Sequence, residues 1–196
     1  MYDTDSELIP ALINKEDSAY RFAVKNYQGP MLYLARSIIG TKLADEVVQE
    51  AWFSVLKNLP KFQQKSRLKT WILTIVANEA KGRLRKEKRQ VSLDAADDDS
   101  RFDQNGHWKL PFAQWHAESP EALLASEELG DCLQKQIGAL PALQGATLNL
   151  KERQGYSLAE ICNILDVTES NVRVLLHRAR SRTFRAIEHF QETGEC

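Results

Sequence analysis

No stretch of the chain approaches the roughly 18 consecutive apolar residues that a membrane-spanning helix needs. The opening Met1-Tyr-Asp-Thr-Asp-Ser-Glu has no positive run ahead of an apolar segment, as a secretory leader would. Neither membrane insertion nor export is expected, and the expected location is cytoplasmic. Cysteine is scarce. Cys132, Cys162 and Cys196 are an odd number at wide spacing, which argues for neither a disulfide framework nor a paired-thiol metal site and predicts buried or unremarkable thiols. The four histidines, His107, His116, His177 and His189, form no ligand pair at helical spacing with a carboxylate or thiol. No metal, cofactor or catalytic centre is therefore expected, and an enzyme built on the Cys/His set is a remote reading.

Net charge is also nearly absent, at −1, but the total hides a partition. Residues 61–89 carry ten Lys/Arg against Glu79 and Glu87, a net +8, whereas residues 94–131 carry ten Asp/Glu against Arg101 and Lys109, a net −8. From 171 to 187 there are five arginines and no acid. Two basic blocks flank one acidic block, and a near-neutral total does not argue against nucleic acid.

The same map suggests an all-α chain of two small helical domains joined by an acidic flexible linker: residues 1–90, 91–119 and 120–196. Apolar residues recur at three- and four-residue spacing through the first part and predict helices over roughly 6–14, 18–38, 43–58 and 67–88. Asp97-Asp-Asp-Ser, Asn105-Gly and Pro111 interrupt any period in the linker, and Pro120 is expected to open a second helical region running to about residue 190.

On the predicted helix 43–58, Val48, Trp52, Val55 and Leu59 make one apolar stripe, while Asp45, Gln49 and Glu50 lie toward another face. On 67–88, Leu73, Val76, Ala77, Ala80 and Leu84 take core spacing, and Thr74, Asn78, Lys81 and Arg85 fall on a second face that could meet phosphates and base edges. Phe62 precedes it in a short Gln/Lys/Ser loop. An aromatic group beside tracked cations suits an opened strand, although Trp71 at the helix start reads more simply as core.

The C-terminal part reads as a helix-turn-helix. Ser157-Leu-Ala-Glu160 is a capping box, so a helix should start at Ser157. Asp166-Val167 makes the turn, Thr168 caps a second helix, and that helix buries Val172, Leu175, Leu176 and Ala179. Its outer side is expected to hold Asn171, Arg173, Val174, His177, Arg178 and Ser181. Arginine there can bond guanine in the major groove, and asparagine adenine.

Taken together these motifs identify the chain as resembling the extracytoplasmic-function sigma factors, a two-domain group of the bacterial sigma-70 superfamily. Asp45-x-x-x-Gln49-Glu50-x-Trp52-Phe53 is similar to the family's D-x-x-Q-E-x-F helix, and Lys69-Thr-Trp71-Ile-x-x-Ile-x-x-Asn78 to its T-W-L-x-x-I-A-x-N segment. Leu140-Pro141 through Ser157 to His177-Arg-Ala-Arg180 resembles its second domain. The resemblance implies core RNA polymerase and promoter DNA as partners. Asp45, Gln49, Glu50 and Trp52 would dock on the clamp coiled coil of the largest subunit, and the C-terminal domain on the polymerase flap. Lys61, Phe62, Lys65, Lys69, Asn78, Lys81 and Arg85 would hold the −10 element. Asn171, Arg173, Val174, His177 and Arg178 would read the −35 element. An anti-sigma partner is implied as well.

Two departures bear on specificity. The loop lacks the Gly-Asp/Glu often found after its Phe, and Val174-Leu175 stand where a more polar pair is common, so the resemblance does not carry a promoter sequence across. Gly106-His-Trp-Lys-Leu-Pro-Phe-Ala-Gln-Trp115 is similar to a Gly-x-Trp…Pro…Trp pattern of some relatives. Within an acidic segment it reads equally as a nucleic-acid mimic lying in the polymerase RNA path or as a solvated tether with two anchors. The rival for the whole chain is a helix-turn-helix regulator that binds duplex DNA as a dimer and never touches polymerase.

Overall fold

Each stretch of three- and four-residue apolar periodicity is a helix in the computed structural model, which describes residues 2, 4–88 and 127–196. The expected linker at 91–119, with Trp108 and Trp115, and the expected helix start at Pro120 lie outside the described residues. Helices α1 (Asp5–Ile13), α2 (Asp17–Ile39), α3 (Thr41–Asn58) and α4 (Leu68–Lys88) precede that segment, with one tight turn at Leu59–Lys61. Helices α5 (Glu127–Gly138), α6 (Ala142–Leu148), α7 (Leu158–Leu165) and α8 (Glu169–Thr193) follow it, and α6 continues into a wider π turn at Asn149–Arg153. The described residues contain no strand, so the chain is all-α.

Helices α2, α3 and α4 pack around Met31, Leu34, Ala44, Val48, Val55, Ile72, Leu73 and Val76, all buried. That packing carries α2 through Pro30, whose missing N–H would break an isolated helix. Helix α1 closes one end with Leu8, Ile9 and Leu12. Its Asp5 carboxylate accepts a 2.7 Å hydrogen bond from the backbone N–H of Leu68, capping α4 from 63 positions away. A carboxylate at a helix N-terminus also meets the positive end of the dipole. Asp5→Ala should therefore cost about 1–2 kcal/mol in denaturant unfolding, the usual cost of losing a cap; a change below a few tenths would show that the bond contributes nothing.

In the second half, Val172, Leu175, Leu176 and Ala179 are buried as the spacing predicts. Ser181, expected on the outer face, is buried at 3% exposure, because α8 is continuous to Thr193 and its later turns pack on α5. The cysteine expectation is also corrected. Cys132 on α5 and Cys196 beyond α8 form a disulfide with Cα atoms 5.4 Å apart, and Cys162 alone stays free. Spacing in sequence could not reveal a pair joined across 64 positions.

The halves are not separate bodies. Ala146, Leu150, Tyr156, Ile161, Ile164, Leu165, Val172 and Leu176 belong to the same apolar cluster as the core of α1–α4. Helix α6 lies on α2, and α7 on α4.

Candidate promoter and polymerase surfaces

Asp45, Gln49 and Glu50 are exposed on one side of α3. Glu46 and Glu50 stand 2.9 Å and 3.7 Å from Arg83 of α4, which fixes that acidic side against its neighbour. Trp52 is half-buried, and its indole N–H donates to Gln28 Oε1 of α2 at 2.7 Å. Its ring therefore holds α3 to α2. The large apolar group that does face outward is Phe53, 69% exposed, with Leu56 one turn further on. Phe53 stands in the motif read from the sequence, but the docking set of Asp45, Gln49, Glu50 and Trp52 left it out, although it is an aromatic residue off the apolar stripe of an amphipathic helix.

The loop before α4 positions the second group. Lys61 and Lys65 are exposed, and Phe62 stacks on Trp71 with ring centroids 4.6 Å apart and planes at 28°. Phe62 and Trp71 are both half-buried and both pack against the core, so the stacked pair is anchored as a unit beside the exposed lysines of the loop. Along α4, Asn78 and Arg85 are exposed. Lys81, on the same face, is half-buried and donates to the Leu165 carbonyl at the end of α7, 2.9 Å away. Burial holds its amine below the usual lysine range, against the pull of Asp166. Lys69 lies over the Tyr156 ring at 5.6 Å. Two of the expected strand-holding cations are thus occupied by the second half of the chain.

Why α7 ends there is local chemistry. The Ser157 side chain accepts from the Glu160 N–H while Glu160 Oε2 accepts from the Ser157 N–H at 3.0 Å. Asp166 takes the left-handed conformation at φ 52°, ending the helix and turning its last carbonyls toward α4. The Ser157 bonds to Glu160 hold that carboxyl below the usual glutamate range. A depressed folded pKa contributes stability present above the unfolded value of about 4.3, and that contribution is lost as pH falls through the folded pKa. Accordingly, Glu160→Gln should be less stable than the parent at neutral pH, with the gap closing below about pH 4; a gap independent of pH would contradict this role for the charge.

Helix α8 begins at a Thr168 cap, whose side chain accepts from the Asn171 N–H at 3.3 Å. Asn171, Arg173 and Val174 are exposed, as expected, while His177 and Arg178 are half-buried. The Arg173 guanidinium pairs with Glu169, one turn back. Such an exposed pair is worth little and exchanges readily for a phosphate or base edge.

The seam between the halves is mixed. Asn149 Nδ2 donates to Ser37 Oγ at 3.2 Å, the Arg153 guanidinium lies 3.7 Å above the Tyr33 ring, and Gly145 lets α6 approach the Ser37 carbonyl. Burial, with help from Glu160, pushes the Tyr156 phenol up to about 12, and its hydroxyl has no hydrogen-bond partner among the described residues. Gln144 Oε1 and Gln154 Oε1 are likewise without one.

Comparison with known proteins gives the family. A family model described as Sigma-70 region 2 matches residues 23–90, and one described as Sigma-70, region 4 matches residues 130–183. A probable RNA polymerase sigma factor of Haemophilus influenzae is 34% identical over 142 residues, covering 70% of this chain and 73% of that protein. The ECF RNA polymerase sigma-E factor of Escherichia coli K12 is 29% identical over 180 residues, covering 90% and 91%. Among solved structures, the sigma factor RpoE in complex with the anti-sigma factor NepR from Bartonella quintana superposes with a TM-score of 0.58 at 19% identity, covering 86% of this chain and 96% of that one. CnrH in complex with the cytosolic domain of CnrY gives 0.59 at 17% identity, covering 95% and 99%. At such identities the two structures speak for the fold.

Proposed function

The chain belongs to the extracytoplasmic-function sigma factors of the sigma-70 superfamily, and from that premise we propose how its two halves divide the work of opening a promoter. It acts as an RNA polymerase sigma factor. Residues 1–90 form the unit that binds core polymerase and the −10 element, 91–119 the acidic connection, and 120–196 the unit that reads the −35 element and rests on the flap. Asp45, Gln49 and Glu50 meet the clamp coiled coil, with Phe53 as their apolar anchor and Trp52 holding the helix in place. The observation that carries this assignment is the exposed Phe53 beside that acidic side, next to a basic α4 with Asn78 and Arg85 exposed and Lys81 half-buried between them.

Phe62, stacked on Trp71, takes an unstacked base, and Lys61, Lys65, Lys69, Asn78, Lys81 and Arg85 follow the strand. Holding an opened strand more tightly than the duplex is enough to shift the equilibrium toward melting, so no catalytic centre is needed. Asn171, Arg173, Val174, His177 and Arg178 read the upstream duplex, and phosphate contacts set the register. Tethering lets two weak contacts act together.

In the closed form, α7 and Tyr156 occupy Lys81 and Lys69. Polymerase must separate the halves before both elements can be engaged, which makes the free chain a poor DNA binder. The solved relative with an anti-sigma factor supports a similar partner here, one that would hold the closed form. Nothing in the described residues is long and apolar enough to cross a membrane, consistent with work in the cytoplasm.

Point substitutions test the division. Arg173→Ala should relax preference at one upstream position, by about 1–3 kcal/mol, and leave the −10 preference intact. Phe62→Ala should reduce open-complex formation without changing upstream specificity. Loss of both preferences from either change would contradict the division.

A further inference from the structure

Cys132 and Cys196 are brought together by the fold rather than by the sequence. Cys132 is 3% exposed on α5, beside Leu129, where a small apolar thiol would need no partner. Gly194 at φ 72° caps α8 and reverses the chain, its N–H donating to the Phe190 carbonyl at 2.8 Å. The Glu195 N–H donates to Thr193 Oγ1 at 3.1 Å, tightening the reversal. The result sets exposed Cys196 against Cys132, with Gln136 Nε2 3.8 Å from the Cys196 sulfur.

We propose that Cys132 and Cys196 are a reversible oxidation site that staples the DNA-reading half of this sigma factor. The bond closes residues 132–196 into one ring containing α6, α7 and α8, the whole helix-turn-helix. Such a ring restricts the unfolded chain, and it ties the far end of the recognition helix to α5.

A disulfide in a reducing compartment is more often a sensing pair than a permanent one. Cys196 is the accessible partner. Its thiolate attacks a small disulfide of the glutathione class, forming a mixed disulfide and releasing one small thiol. The Cys132 thiolate then attacks the Cys196 sulfur and expels the second small thiol. Two protein thiols are oxidised, one small disulfide is reduced, and the two protein protons leave with the released thiols. Cys162, half-buried on α7, takes no part and serves as an internal control. That the compartment is reducing rests on the proposed function; the pairing of Cys132 with Cys196 does not.

The full chain equilibrated with oxidised glutathione or with dithiothreitol, then denatured and alkylated, tests this. One alkylated cysteine, Cys162, is expected in the oxidised sample and three in the reduced one, with a Cys132–Cys196 peptide recovered by mass spectrometry. Three alkylated cysteines after oxidation, glutathione adducts without the cross-link, or a cross-link to Cys162 would overturn the proposal. Oxidation should also raise the unfolding temperature by on the order of 10 °C. The exposed-site variant Cys196→Ser should show no such rise, and equal shifts in both proteins would remove the stapling role even if the bond forms.

Discussion

Phe53→Arg is expected to reduce promoter-dependent transcription with core polymerase by roughly 30-fold or more while moving the unfolding temperature by no more than about 2 °C. The two halves of that expectation come from one number. With Phe53 69% exposed, the ring buries little within the fold, so its removal leaves no cavity and its replacement meets no wall. On the proposed polymerase surface such a ring acts as a central apolar anchor, worth about 2 kcal/mol or more, hence the factor of thirty. Trp52 makes the contrast. Its N–H is held by Gln28 and its ring lies on the core, so Trp52→Ala should cost stability first and polymerase binding second. A Phe53→Arg protein that still forms holoenzyme at parental affinity would remove this residue from the interface. One that unfolds at a much lower temperature would show that the ring is part of the core after all.

Gly145→Val should open the molecule. A Cβ at Gly145 would stand 3.4 Å from the Ser37 carbonyl oxygen and 3.7 Å from Leu140 Cβ, already at van der Waals contact, so the valine methyl groups that reach beyond it should press α6 away from α2. With α7 and Tyr156 drawn away from α4 along with α6, Lys81 and Lys69 are released, and the free chain should bind a single-stranded −10 oligonucleotide about tenfold more tightly, since apparent affinity scales with the competent fraction. The radius of gyration in solution should grow in parallel. Removing the stacked pair from exposed positions, as Tyr33→Ala with Arg153→Ala, weakens the same seam by about 0.5–1 kcal/mol and should shift affinity two- to fivefold in the same direction. This second variant keeps the test informative if valine disturbs α6 itself. Unchanged strand affinity in both variants, with an enlarged radius, would show that the closed seam does not restrain DNA binding.

Local signals carried most of the architecture. The helices expected at 18–38, 43–58 and 67–88 are within one or two residues of α2, α3 and α4, because each has an apolar stripe long enough to define its period. The capping box at Ser157 and the Thr168 cap lie where their side-chain chemistry places them. What the sequence hid is long-range pairing. Asp5 looks like an ordinary acidic residue until α1 sets it at the N-terminus of α4. Lys81 has the spacing of a solvent-facing cation, and only the docking of α7 gives it the Leu165 carbonyl. Ser181 falls on the outer face of a short recognition helix but on the buried face of one that continues to Thr193. The cysteines show the same limit, since no local pattern reports a pair 64 positions apart.

Reconstitution with core polymerase on a randomised promoter library tests the central claim most directly, which is that one half of the chain holds an opened strand while the other reads intact duplex. The account predicts no tight duplex binding by the chain alone. With polymerase it predicts transcripts from promoters enriched in two separate blocks, the downstream one sensitive to Phe62→Ala and the upstream one to Arg173→Ala. A dimeric chain that binds a palindromic duplex tightly by itself and yields no promoter-dependent transcript would contradict it.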